Sequence, residues 1–147
     1  ALTEARAGKF WSYACGVACR ILTDYHVEGL VVENYYTSLP LKKGLSRSAA
    51  LCVLMVRAFK QVYDLKMTVR GEMEYAYQGE IMTPSRCGRM DQACAYGSVP
   101  VQLDYDGDHL EVQKIHVEGE FNILLVDLQA KKDTIEILSC LQVCTPI

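Results

Sequence analysis

From Gly44 to Asp64 the chain reads as a tight turn running into a helix that is apolar most of the way round. Its apolar positions are Ala49, Ala50, Cys52, Val53, Val56, Ala58 and Phe59, too many for the single stripe that a surface helix buries. Such a helix has to be surrounded, so the other elements must pack around it. The material is there: half of the 147 residues are hydrophobic, enough to give one domain of this length a proper core. Ser46 stands at the expected N-cap, and the helix should end near Asp64.

Trp11, Ala14, Cys15, Ala18, Leu22 and Tyr25 recur at helical spacing, which predicts an amphipathic helix from about Thr3 to Tyr25 with Trp11 as a core anchor. Leu30 to Tyr36 reads as a strand, rich in β-branched and aromatic residues and stopped by Pro40. Thr68 to Glu80 reads as a helix, and Met90 to Tyr96 as a short one closed by Gly97. Val99 to Tyr105 and His109 to Val117 flank Asp106-Gly107, the signature of a tight hairpin. Asn122 to Leu128 then reads as a buried strand and Asp133 to Leu141 as a helix. There is no repeat and no low-complexity linker. Helices mixed with antiparallel hairpins predict an α+β fold in one domain, residues 1–147.

Charge and cysteine usage exclude several functions. A net charge of −3 with both signs interspersed gives no footprint for nucleic acid and no polybasic membrane patch. The apolar runs are too short to span a bilayer, and the first residues lack a secretory pattern, so a cytoplasmic location is expected. Seven cysteines cannot all pair, and they lie within periodic apolar segments, as reduced thiols filling a core do. Cys15/Cys19 and Cys140/Cys144 have i, i+4 spacing, but no His completes a tetrahedral metal set. His26, His109 and His116 are scattered and read as structural or exposed.

Two motifs carry chemistry. The first is Leu39-Pro-Leu-Lys-Lys-Gly-Leu-Ser-Arg-Ser-Ala-Ala50, a turn feeding the start of the central helix. Unpaired backbone N–H groups at a helix start, aided by the helix dipole, suit the phosphates of a nucleotide. Gly44 permits close approach, Leu45 to Ala49 would present amides, and the hydroxyls of Ser46 and Ser48 could reach phosphate oxygens or Mg²⁺. Lys42 and Lys43 would add positive charge. The spacing is not that of a Walker loop, and on these residues alone an ordinary capped core helix is the favoured reading, which the second motif reverses. The second motif is Ser85-Arg-Cys-Gly-Arg-Met-Asp-Gln92, which presents Asp91 at the start of a short helix.

Together the two motifs resemble those of the GHMP small-molecule kinases, whose phosphate loop reads roughly Pro-x-Gly-x-Gly-Leu-(Gly/Ser)-Ser-Ser-Ala-Ala. Cys87-Gly88-Arg89-Met90-Asp91-Gln92 is similar to the galactokinase branch. The resemblance covers the chain from about Trp11 to the strand near Leu103 and corresponds to a central segment of such a kinase. It implies a domain like the second domain of ribosomal protein S5, with helices packed on a mixed sheet. It also implies ATP and Mg²⁺ as cofactors and a small-molecule acceptor, most simply a sugar, phosphorylated on a hydroxyl by direct in-line transfer. Lys43, Gly44, Leu45, Ser46, Arg47, Ser48 and Ala49 would then hold the nucleotide, with Asp91 as catalytic base. Arg47 stands where the family usually has serine; it would either pair with a phosphate or crowd the loop.

Glu80 is the candidate metal ligand, together with Ser48. Met73, Ala76, Tyr77 and Glu80 share one helix face, so a carboxylate falls where an apolar side chain is expected. Unpaired there, it would cost on the order of several kcal/mol, which a cation would relieve. Its position eleven residues before Asp91 resembles mevalonate kinase, where such a glutamate binds Mg²⁺. The competing reading is a helix-end glutamate bonded to Arg86 or Arg89. Arg47 also keeps open a non-catalytic nucleotide- or sugar-binding regulator on the same scaffold.

Overall fold

The computed structural model describes residues 1–39, 43–85 and 87–127, together with 129, 137 and 140. Helix α1 (Leu2–Arg6) and helix α2 (Ser12–Asp24) replace the one long helix expected from Thr3 to Tyr25. The break falls at Gly8, whose φ of 66° lies in the left-handed region that glycine tolerates. Trp11 sits at this break, 62% exposed and edge-on to Phe10. It is therefore not a core anchor, because the break turns it out of the buried stripe.

Helix α3 (Arg47–Tyr63) is the element around which the others pack. Ala49, Cys52, Val53, Val56 and Phe59 are buried, and α2, helix α4 (Val69–Ile81) and a 3-10 helix (Asp91–Tyr96) lie against it. Its enclosure is incomplete, since Leu54 and Val62 face outward. Thr68 caps α4 by accepting from the Gly71 N–H at 3.1 Å, the local reason the helix starts there. Gly97 closes the 3-10 helix with φ 76°.

Helices α2 and α4 cross at two glycines. A Cβ on Gly16 would lie 2.1 Å from the Gly79 carbonyl oxygen, and one on Gly79 would lie 2.5 Å from Val17 Cγ2. Backbones can meet this closely only where both side chains are absent. The crossing fixes the C-terminal turn of α4, which bears Glu80.

Strands β1 (Val101–Asp106) and β2 (His109–Lys114) form the antiparallel hairpin expected from the sequence, with Asp106 paired to His109. The fold is α+β. Among the described residues this hairpin is the whole sheet, so the expected mixed sheet is not seen. The segments expected as strands at Leu30–Tyr36 and Asn122–Leu128 have no strand assignment where described, and Val31, Tyr35, Ile123 and Leu124 are exposed. A β-favouring composition makes a strand only where a neighbour takes up its backbone hydrogen bonds. Of the helix expected at Asp133–Leu141, only Ile137 and Cys140 are described, and both are helical.

Cys52 fills the core as expected, whereas Cys94 and Cys140 are exposed. His26, His109 and His116 are exposed. No helix among the described residues is long and apolar enough to cross a membrane.

Candidate active site

The site is assembled where the start of α3, the end of α4 and the 3-10 helix meet. Pro40, Leu41 and Lys42 of the first motif and Arg86 of the second lie outside the described residues. Gly44 takes φ 75°, the left-handed conformation a tight turn into a helix requires. Ser46 occupies the N-cap position with φ 50°, and its side chain makes no capping bond, contrary to the sequence expectation. Its carbonyl accepts from the Ala50 N–H at 3.1 Å, so the helix proper begins at Arg47. Helix geometry leaves the first amides, those of Arg47, Ser48 and Ala49, without intrahelical acceptors.

Glu80 is the centre of the arrangement. It is only 2% exposed, and burial pushes its carboxyl above the usual carboxylate range. Hydrogen bonding from Ser48 and Gln92 pulls it partly back, while the nearby negative charge of Asp91 adds to the upward push. Gln92 Nε2 donates to Glu80 Oε2 at 2.8 Å and lies 3.6 Å from Cys87 Sγ. Burial and the Glu80 charge raise the Cys87 thiol to about 12, which argues against a nucleophilic role.

Glu80 is thus not the unpaired carboxylate that the helix pattern alone implied. Of the two alternative partners, Arg86 lies outside the described residues and Arg89 is engaged elsewhere. It lies 3.6 Å from Glu74, 3.8 Å from Asp108 and over the ring of Tyr77. The start of α3, the end of α4 and the 3-10 helix belong to elements that pack on one another, and both Ser48 and Asp91 influence the Glu80 carboxyl, Ser48 by hydrogen bonding and Asp91 by its charge. Asp91 itself is exposed at the start of the 3-10 helix.

A second polar cluster holds this arrangement in register. The Glu72 carboxylate accepts from Arg57 Nε at 2.8 Å and Lys60 Nζ at 2.6 Å, and Arg57 Nη2 also donates to the Ala95 carbonyl. These bonds tie α3 to α4 and to the turn that carries Asp91. Desolvation raises the Glu72 carboxyl, and its two cationic donors more than reverse that, leaving it below the usual range.

Asp127, Tyr13 and, as a donor, Gln92 join the site in ways that no sequence signal had marked. Lys43, exposed at the loop, is paired with Asp127 at 2.8 Å. Tyr13 of α2 reaches the Glu80 side: burial raises its phenol, the Glu80 charge adds to this, and Ser85 opposes it. Gln92 was legible only as a letter of the motif, not as a donor. Beside Tyr13, a cavity of about 30 Å³ between Gly8, Ser12, Thr83 and Ser85 takes a water-sized group.

Comparison with known families decides what this geometry belongs to. The model of the GHMP kinases N terminal domain matches residues 12–98, more than half of the chain. The chain belongs to the GHMP kinase family. No curated protein and no solved structure matches it significantly. The matched span contains the phosphate-loop motif, Glu80, Asp91 and Gln92, and members of the GHMP family are, in general, small-molecule kinases that use ATP.

Mg²⁺ suits the donors present. Glu80 and Ser48 are hard oxygen donors, and Ser48 is near enough to lower the Glu80 carboxyl; Mg²⁺ is commonly held by one or two carboxylates, substrate phosphates and water. Among the described residues no group of three His, Cys, Asp or Glu side chains is placed to hold a metal ion.

Proposed function

We propose that this chain transfers the γ-phosphoryl group of ATP to a hydroxyl of a small metabolite, most simply a sugar, by direct in-line displacement. One observation supports this above the others. The serine-bearing start of α3 and the turn bearing Asp91 meet at a single buried carboxylate, Glu80. Phosphoryl transfer asks the protein mainly for alignment and charge stabilisation, and this convergence supports the first, with the loop amides and a cation left to provide the second.

In this reading the amides of Leu45 to Ala49, the hydroxyls of Ser46 and Ser48, and the cations of Lys43 and Arg47 hold the phosphates, with Gly44 allowing the backbone to approach. Ser48 and Glu80 hold Mg²⁺, which when bound neutralises the β- and γ-phosphate charge. Asp91 accepts the proton of the attacking hydroxyl; its exposure leaves it open to an acceptor. The hydroxyl oxygen forms the new bond to phosphorus as the bond to the ADP oxygen breaks. Residues 1–147 act as one domain of the type found in the second domain of ribosomal protein S5, working in the cytoplasm.

A second reading, a nucleotide- or sugar-binding regulator without turnover, is favoured by the occupied Glu80 and by the pairing of Lys43 with Asp127. One experiment separates the two: nucleotide titration with and without Mg²⁺, beside a coupled assay over a panel of sugars. The kinase reading expects Mg²⁺-dependent binding and phosphorylation of at least one sugar. Binding without phosphorylation supports the regulator, and absence of nucleotide binding removes both.

A further inference from the structure

Gln92 is completely buried, with none of its surface exposed. A primary amide is an awkward group to bury, because each end needs a partner. Here only one end has a described one: Nε2 donates to Glu80 Oε2 at 2.8 Å, while Oε1 meets no donor among the described residues. An apolar side chain of similar length would fill the space without leaving an acceptor unpaired. What the amide offers instead is a donor that carries no charge. A lysine or arginine in its place would neutralise the Glu80 carboxylate and cancel its attraction for a cation. A glutamate there would repel it.

Position adds a second consequence. Gln92 directly follows Asp91 on the 3-10 helix, and Glu80 lies in the last turn of α4. The amide–carboxylate bond therefore clamps the turn that presents Asp91 onto the helix that presents Glu80.

Resting on the kinase reading above, we propose that Gln92 is a positioning residue. Through one uncharged hydrogen bond it fixes the direction of the Glu80 carboxylate and the place of Asp91, leaving the carboxylate charge available to a divalent cation on bound nucleotide. Groups that orient metal ligands in this way are commonly worth about 10–100-fold in metal affinity or activity.

The test uses the 147-residue chain with Mn²⁺ as the probe and a non-hydrolysable ATP analogue, free Mn²⁺ being read by electron paramagnetic resonance. Two variants are compared with the wild type: Gln92→Met, and the reciprocal exchange Glu80→Gln with Gln92→Glu. Gln92→Met should weaken Mn²⁺ recruitment about 10–100-fold while nucleotide affinity without metal stays unchanged. The exchange keeps an amide bonded to a carboxylate, so it should restore the melting temperature without restoring Mn²⁺ recruitment. Wild-type Mn²⁺ affinity in either variant overturns the inference. If Gln92→Met does not fold, the exchange decides. An exchange variant that does not fold also overturns it, because a pair acting through its shared hydrogen bond tolerates reversal. A wild-type chain that binds nucleotide and Mn²⁺ together while Gln92→Met does so equally well defeats this inference alone. A wild-type chain that recruits no Mn²⁺ with nucleotide defeats the kinase reading, and this inference with it.

Discussion

Lys43 Nζ lies 2.8 Å from Asp127 Oδ1, although 84 residues separate them in the chain. The contact places an acidic group beside the proposed phosphate loop. Lys43 holds the Asp127 carboxyl below its usual range, helped by the Gln129 N–H. More than half of the Asp127 side chain is exposed, so the pair is solvated and screened by salt.

Asp127→Asn should accordingly leave the melting temperature unchanged and free Lys43 for phosphate. We predict a few-fold gain in nucleotide affinity at low salt that fades as ionic strength rises. Isothermal titration at two salt concentrations measures it. Equal affinities for variant and wild type at low salt would remove Lys43 from the phosphate site.

Gly79→Ala tests the helix crossing. The new methyl group would stand 2.6 Å from the Val17 Cα and 2.7 Å from its backbone nitrogen, so α2 and α4 must separate. The expected loss is about 1–3 kcal/mol or more, as for other overpacked cores. Gly29→Ala is the control: nothing lies within 4 Å of its Cβ, and its effect should stay within about 0.5 kcal/mol. Urea unfolding of the two variants gives the comparison, and equal midpoints would show that the crossing is not tight.

Glu72→Gln tests the cluster that ties α3 to the turn bearing Asp91. Glu72 is nearly buried and its folded-state carboxyl lies below the ordinary value of 4.5. Its contribution is therefore complete above that value and is lost as pH falls through the folded one. Replacement should cost about 1.5–3 kcal/mol at neutral pH, the range for hydrogen bonds to a charged group. The gap between variant and wild type should close in acid, as stability measured from pH 7 to pH 3 would reveal. A gap independent of pH would mean that the Glu72 charge contributes nothing.

Elements whose signals are local were legible in the sequence. Thr68 capping α4, Gly97 closing the 3-10 helix and the hairpin around Gly107 all act within a few residues. The long N-terminal helix fails at Gly8: its periodic positions begin only at Trp11, and the stretch from Thr3 lies on the far side of a glycine that breaks the chain direction. The two expected strands failed for another reason. Their residues favour extended structure, but a ladder also needs a partner strand, which no local pattern encodes. The site divides in the same way. Ser48, Glu80 and Asp91 stand out as motif residues or as a carboxylate on an apolar face. Tyr13, Asp127 and the donor role of Gln92 depend on contacts between distant segments, which spacing does not encode.

Asp91→Asn tests the central claim most directly, with turnover and nucleotide affinity measured on the same preparation. Asparagine keeps the size of the side chain and cannot accept the acceptor's proton. With the proposed mechanism, kcat should fall by about 10²–10⁴-fold, the usual share of a positioned general base, while nucleotide affinity stays within about twofold, because the proposed role of Asp91 is toward the acceptor and not the phosphates. Unchanged turnover in a folded variant would contradict it.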